Sequence, residues 1–188
     1  MSIATITLRP IDEADLALLY EVYASTRTEE LAPLGWNAAQ QAAFLSQQFA
    51  AQHRHYQQHY ADASFQIILV DGQPIGRLYV ARWPGEIRLI DIALLPAARG
   101  AGIGTRLLHD LLDEAVAAQK PIRLHVEKFN PALRLYQRFG FVSVEDRGVY
   151  WLMEWTHTRG RQPRASAHFL DRGTHFLRES GESTYRSI

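Results

Sequence analysis

Apolar and polar residues alternate over residues 3–11, the period of a half-buried strand. Asp12 then caps a helix to about Ser25, with Leu16, Leu19, Tyr20 and Tyr23 on its apolar side. Residues 26–36, containing Glu29, Glu30, Pro33 and Gly35, read as a loop before Asn37 caps a long helix to about Tyr60. Residues 65–70 and 75–82 are strand-like runs around Asp71-Gly72, a turn pair that favours a tight hairpin. Trp83-Pro84-Gly85 turns the chain into another apolar strand from Ile87. A stripe of Ile103, Leu107, Leu108, Leu111, Leu112, Ala115 and Val116 then predicts a helix to about Gln119. Residues 122–127 alternate again, a helix follows Asn130, and residues 142–145 and 149–155 form a closing antiparallel pair around Asp146-Arg147-Gly148. The predicted order is β-α-α-β-β-β-α-β-α-β-β.

The sharpest local signal spans residues 87–112. Leu95-Pro96 stops the strand, Arg99-Gly100-Ala101-Gly102-Ile103-Gly104 turns the chain, and an amphipathic helix begins. Glycines at such a junction let successive N–H groups point into one concavity, and the helix adds unpaired N-terminal donors and the positive end of its dipole. This is a seat for an anion such as a pyrophosphate. The spacing lacks the G-x-G-x-x-G of dinucleotide folds and the Lys-Ser/Thr ending of a P-loop.

The run Arg-Gly-x-Gly-Ile-Gly, after strand and proline and before Leu-Leu, resembles the acyl-CoA loop of the GCN5-related N-acetyltransferases (GNAT). The string N-P-A-L-R-L-Y-Q-R-F-G-F from Asn130 to Phe141 is similar to that family's second signature, N-x-x-A-x-x-x-Y-x-x-x-G-F. Here the alanine stands two places after the asparagine instead of three, a shift that touches packing more than chemistry. Asn130 also suits an N-cap, Pro131 a first helical position and Gly140 a left-handed helix end. The predicted element order is that of the family over residues 1–155. The resemblance implies a mixed α/β (α+β) fold with a mostly antiparallel central sheet flanked by helices.

Composition narrows the alternatives. The 188 residues are 47% hydrophobic and carry zero formal charge, which argues against global electrostatic capture of nucleic acid or an anionic membrane. With no cysteine there is no disulfide framework, thiolate metal site or cysteine nucleophile. No stretch approaches a membrane span and MSIATITLRP lacks a signal-peptide pattern, so a cytoplasmic location is expected. His55 and His59 have metal-pair spacing, but Tyr56 holds the glutamate place of H-E-x-x-H; with His53 they are expected on a polar helix face, and no metal is expected. Residues 156–188 have six arginines against three acids and two His-Phe-Leu triplets, at His168 and His175. They read either as a flexible appendage or as an arm that packs on a partner subunit.

The resemblance implies transfer of an acetyl group from the cosubstrate acetyl-CoA to a primary amine, by direct attack in a ternary complex. Backbone N–H groups of Gly100, Ala101, Gly102, Ile103, Gly104 and Thr105 would bind the pyrophosphate, with Arg99 as a nearby charge. The strand end at Ile92 and Leu94 would pair with the pantetheine amides, and Asn130 would cap its helix beside the cofactor. Tyr136 is the expected general acid at the departing sulfur, although Leu133, Tyr136 and Phe139 also share the spacing of a packed stripe. His125 stands where some relatives carry a glutamate base; an imidazole pKa of about 6.5 suits that role. Asp91, interrupting an apolar strand, either orients His125 or pairs with an arginine. Glu29, Glu30 and Trp36 fall where this fold selects its acceptor. The acceptor is a small-molecule or peptide amine, with a homodimer left open. The alternative from a different class is a non-catalytic acyl-CoA sensor or interaction module.

Overall fold

The computed structural model describes residues 4–157; the tail from residue 158 onward lies outside the described residues. Strands β1 (Ile6–Pro10), β2 (Ser64–Val70), β3 (Gln73–Arg82), β4 (Ile87–Leu94), β5 (Ile122–Glu127), β6 (Val142–Arg147) and β7 (Tyr150–Trp155) form one sheet, ordered β1-β2-β3-β4-β5-β7-β6. Only β4 and β5 run parallel. A parallel pair needs a crossover, and helix α4 (Ile103–Ala118) supplies it. The other helices are α1 (Leu16–Ser25), α2 (Thr28–Leu31), α3 (Ala38–His59) and α5 (Leu133–Arg138).

Local chemistry accounts for the boundaries. Asn37 accepts from the Gln40 N–H at 2.9 Å while the Gln40 side chain accepts from the Asn37 N–H at 3.0 Å, closing a capping box on α3. Asp71 and Gly72 take positive φ of 48° and 81°, as the two-residue β2–β3 turn demands. Asp12 and Asp15 form a capping box around a 3-10 turn ahead of α1.

The sheet separates two apolar layers. On one side α4 lays Ile103, Leu107, Leu108, Leu111, Leu112 and Ala115 on Leu78, Val80, Ile87, Leu89, Ile122 and Leu124, with Tyr136 and Phe141 completing that core. On the other, Leu19 and Tyr23 of α1 and Leu45, Phe49 and Tyr56 of α3 pack on Ile67, Tyr79, Ala81 and Ile90. Two details depart from expectation. Residues 26–36 contain α2 and a 3-10 turn, Ala32–Leu34. The turn ahead of α1 also rotates its buried stripe to Asp15, Leu19, Val22 and Tyr23, leaving Leu16 43% exposed.

A bulge in β4 shapes the site. Tyr79 faces Asp91 and Val80 faces Leu89, so Ile90 is an extra residue. Side-chain alternation reverses there: Ile87 and Leu89 before it, and Ile92 and Leu94 after it, all join the α4-side core. Pairing of β4 with β5 runs only from Ile87↔Ile122 to Leu89↔Leu124. Beyond that register the two strands part toward their C-terminal ends, beside the start of α4.

Candidate active site

The loop between β4 and α4 holds Gly100 at φ 75° and Gly102 at φ 80°, a conformation costly for any residue with a Cβ. The first helical bond runs from the Arg106 N–H to the Gly102 carbonyl at 3.0 Å. The amides of Ile103, Gly104 and Thr105 therefore have no intrahelical acceptor and point out of the N-terminus. The Ile103 side chain is buried in the α4-side core, which anchors this first turn. Gly104 is the informative residue. It lies inside α4 without a positive φ, and a Cβ added there would meet nothing within 4 Å. Neither backbone strain nor packing requires glycine at this place.

Arg99 donates from Nε to the Leu94 carbonyl at 2.9 Å and from Nη2 to the Ser25 Oγ at 2.9 Å. It thus ties the end of β4 to the end of α1 and carries its charge beside the loop. Ile92 pairs with Leu78 and Leu94 with Gly76 on the β3 side, while their other edge faces the gap between β4 and β5.

Tyr136 projects from α5 into the α4-side core, 1% exposed, its ring 5.7 Å from that of Phe141. Its buried hydroxyl has no hydrogen-bond partner among the described residues. Burial, reinforced by the negative charge of Asp91, raises its pKa, so the group stays protonated. Asn130 is buried and its Oδ1 accepts from the Ala132 N–H at 2.8 Å. The cap therefore serves a turn at residues 131–132, and α5 itself starts at Leu133.

Asp91 and His125 are not brought together as orienter and base. Asp91, fully buried, meets Arg77 Nη2 at 2.7 Å and receives the Tyr56 hydroxyl at 3.4 Å; Gln52 Oε1 accepts from the same Arg77 nitrogen at 3.2 Å. Burial pushes the Asp91 carboxyl up while Arg77 pulls it down, and the same carboxylate helps hold the guanidinium charged. The physical reason for this partnering is the bulge at Ile90, which sets Asp91 against α3. His125 instead lies beside Arg88, whose Nη1 is 3.3 Å from His125 Nδ1. A guanidinium only donates, so Nδ1 is the acceptor and the ring proton sits on Nε2.

Glu30 is exposed and ion-paired with Arg27 at 3.2 Å. The side chain of Glu29 lies outside the described residues. Trp36 packs edge-on to Phe44 at 5.2 Å, on the rim of the α3-side core. His55 and His59 stack at 3.9 Å, and among the described residues no group of three or more His, Cys, Asp or Glu is placed to hold a metal ion. No described helix is long and apolar enough to cross a membrane. Of the two roles expected for Asp91 the structure shows the arginine pair, with Arg77. That Arg77 and Gln52 complete a buried network escaped sequence reasoning, although an arginine in the middle of the apolar run 75–81 was its available signal. Glu127 escaped too. It ends β5, half-buried, and receives the Tyr150 hydroxyl at 3.3 Å.

Comparison with known proteins agrees with this geometry. Residues 4–141 match the model of the Acetyltransferase (GNAT) family. The fold is shared with PaiA N-acetyltransferase from Thermoplasma acidophilum in complex with coenzyme A, at 19% identity and a TM-score of 0.62, over 81% of this chain and 99% of that one. A GNAT family acetyltransferase from Elizabethkingia anophelis with acetyl-CoA bound aligns at 16% identity and a TM-score of 0.52, over 80% and 97% of the two chains. A histone acetyltransferase HPA2-related structure from Corynebacterium glutamicum aligns at 22% and 0.56, over 81% and 96%. With its mostly antiparallel seven-stranded sheet, its glycine loop at the parting of β4 and β5, and a family match over residues 4–141, the chain belongs to the GNAT acetyltransferase family.

Proposed function

We propose that the protein transfers an acetyl group from acetyl-CoA to a primary amine, by direct attack in a ternary complex. The observation that carries this reading is Gly104, a helical glycine with no structural need for its missing side chain, at the mouth of a loop whose amides face outward. The amides of residues 100–105 hold the pyrophosphate, and Arg99 fixes the loop while adding positive charge. The β4 edge at Ile92 and Leu94 lines the pantetheine arm. The coenzyme A and acetyl-CoA bound to the Thermoplasma and Elizabethkingia relatives support this assignment.

The neutral amine attacks the thioester carbonyl, forming a C–N bond and a tetrahedral adduct. As the C–S bond breaks, the sulfur takes the proton of the Tyr136 hydroxyl. The nitrogen gives its surplus proton to water, and the tyrosinate regains one from water. Tyr136 suits the acid role because it is buried, held protonated and without a competing hydrogen bond. The test is free-thiol release from acetyl-CoA across a panel of amines and peptides, with coenzyme A affinity measured in parallel. An enzyme binds and turns over; binding without thiol release with any amine identifies a sensor and contradicts the proposal.

A further inference from the structure

Transfer needs a base, because an amine that arrives as an ammonium has no lone pair to attack with. We infer that Glu127 is this base: its carboxylate, at the parted end of β5 and oriented by Tyr150, takes the proton from the acceptor's ammonium. The inference rests on the acetyltransferase reading above.

Placement is the first support. β5 pairs with β4 only through Leu124, so Glu127 stands three residues beyond the last rung, on the strand edge that β4 no longer covers. Its own face of β5, shared with Arg123 and His125, looks away from the α4-side core formed by Ile122, Leu124 and Val126. Orientation is the second support. Glu127 is the cross-strand partner of Tyr150, whose hydroxyl donates to its Oε1 at 3.3 Å.

Surroundings decide between Glu127 and His125. His125 spends its Nδ1 lone pair on Arg88, and an added proton would sit beside a guanidinium. Burial raises the Glu127 carboxyl, opposed by Arg27 and by the Tyr150 hydroxyl, so it holds a proton more readily than an exposed glutamate. Arg27 is in turn paired with Glu30 and also acts on the buried Asp91. Among the groups facing Glu127 are Tyr150 from β7, His125 on the same face of its own strand, and Arg27, paired with Glu30, from the start of α2. The proton taken by Glu127 returns to solvent as the carboxylic acid reionises. Together with the water-exchanged protons at nitrogen and Tyr136, one proton is released per acetyl transferred.

The experiment measures thiol release by the wild type, Glu127→Gln and His125→Gln with two kinds of acceptor. One is an amine protonated at pH 7, chosen as the fastest among benzylamine, spermidine and an alanine-ended peptide. The other is hydroxylamine, which is already neutral at that pH. Glu127→Gln is expected to lose about 10²–10⁴-fold in kcat with the protonated amine. It should retain turnover with hydroxylamine and coenzyme A affinity by calorimetry. Wild-type activity falls on the acid side as Glu127 is protonated, above the ordinary glutamate range. That limb disappears in Glu127→Gln and persists in His125→Gln. Equal losses with both acceptors, a loss below fivefold, or transfer of these signatures to His125→Gln overturns the assignment. A wild type that binds coenzyme A yet acetylates neither acceptor overturns the enzyme reading and the base with it; one that fails to bind coenzyme A overturns the loop assignment first.

Discussion

At the scale of single residues, function and stability pull apart. The Tyr136 hydroxyl is buried without a partner, a placement that costs about 1–3 kcal/mol when uncompensated. Tyr136→Phe is therefore expected to unfold at an equal or higher denaturant midpoint while thiol release falls about 10²–10⁴-fold. A variant that is less stable and equally active would return Tyr136 to the packed core. Gly104 makes the complementary case. Gly104→Ala fills open space in α4 and should add up to about 1 kcal/mol of stability. Its methyl group intrudes on the amides, so coenzyme A affinity should drop at least tenfold by calorimetry. Both residues stand out in the sequence by their position in a pattern. Their chemical singularity, an unpaired hydroxyl and a glycine that folding does not need, emerges only from the packing.

At the scale of elements, the bulge in β4 decides which side chains meet. A strictly alternating strand would put Asp91 with Leu89 toward α4; the extra Ile90 sends it to α3 and Arg77. Asp91→Ala leaves the buried Arg77 charge with the neutral Gln52 amide in place of a carboxylate and should cost about 3–5 kcal/mol, read from denaturant unfolding. A change below about 1 kcal/mol would mean that water or another group already shares that charge. The β3–β4 contact is equally tight, since a Cβ on Gly76 would run into the Ala93 carbonyl. Gly76→Ala should destabilise by about 1–3 kcal/mol and weaken coenzyme A binding, because Leu94 packs on the same spot. Helices α3 and α4 were legible because their starts are local, Asn37 with Gln40 and the glycine turn at Gly102, whereas the short α2 was read as loop. The bulge was not, because it arises from pairing between strands and leaves no periodic trace along either.

At the scale of the molecule, element order, sheet character and the family could be read from residues 87–141, where two signatures keep their strand, breaker and helix in sequence. The partners of His125 and Glu127, and which arginine meets Asp91, could not, since Arg88, Tyr150 and Arg77 reach them from neighbouring strands. The central claim is that the amides of residues 100–105 grip the diphosphate of coenzyme A. Amide chemical shifts followed during a coenzyme A titration test it most directly. The largest shifts should fall on Gly100 to Thr105 and saturate with the calorimetric affinity. Saturable binding that leaves those six amides unmoved, or no binding at all, would contradict it.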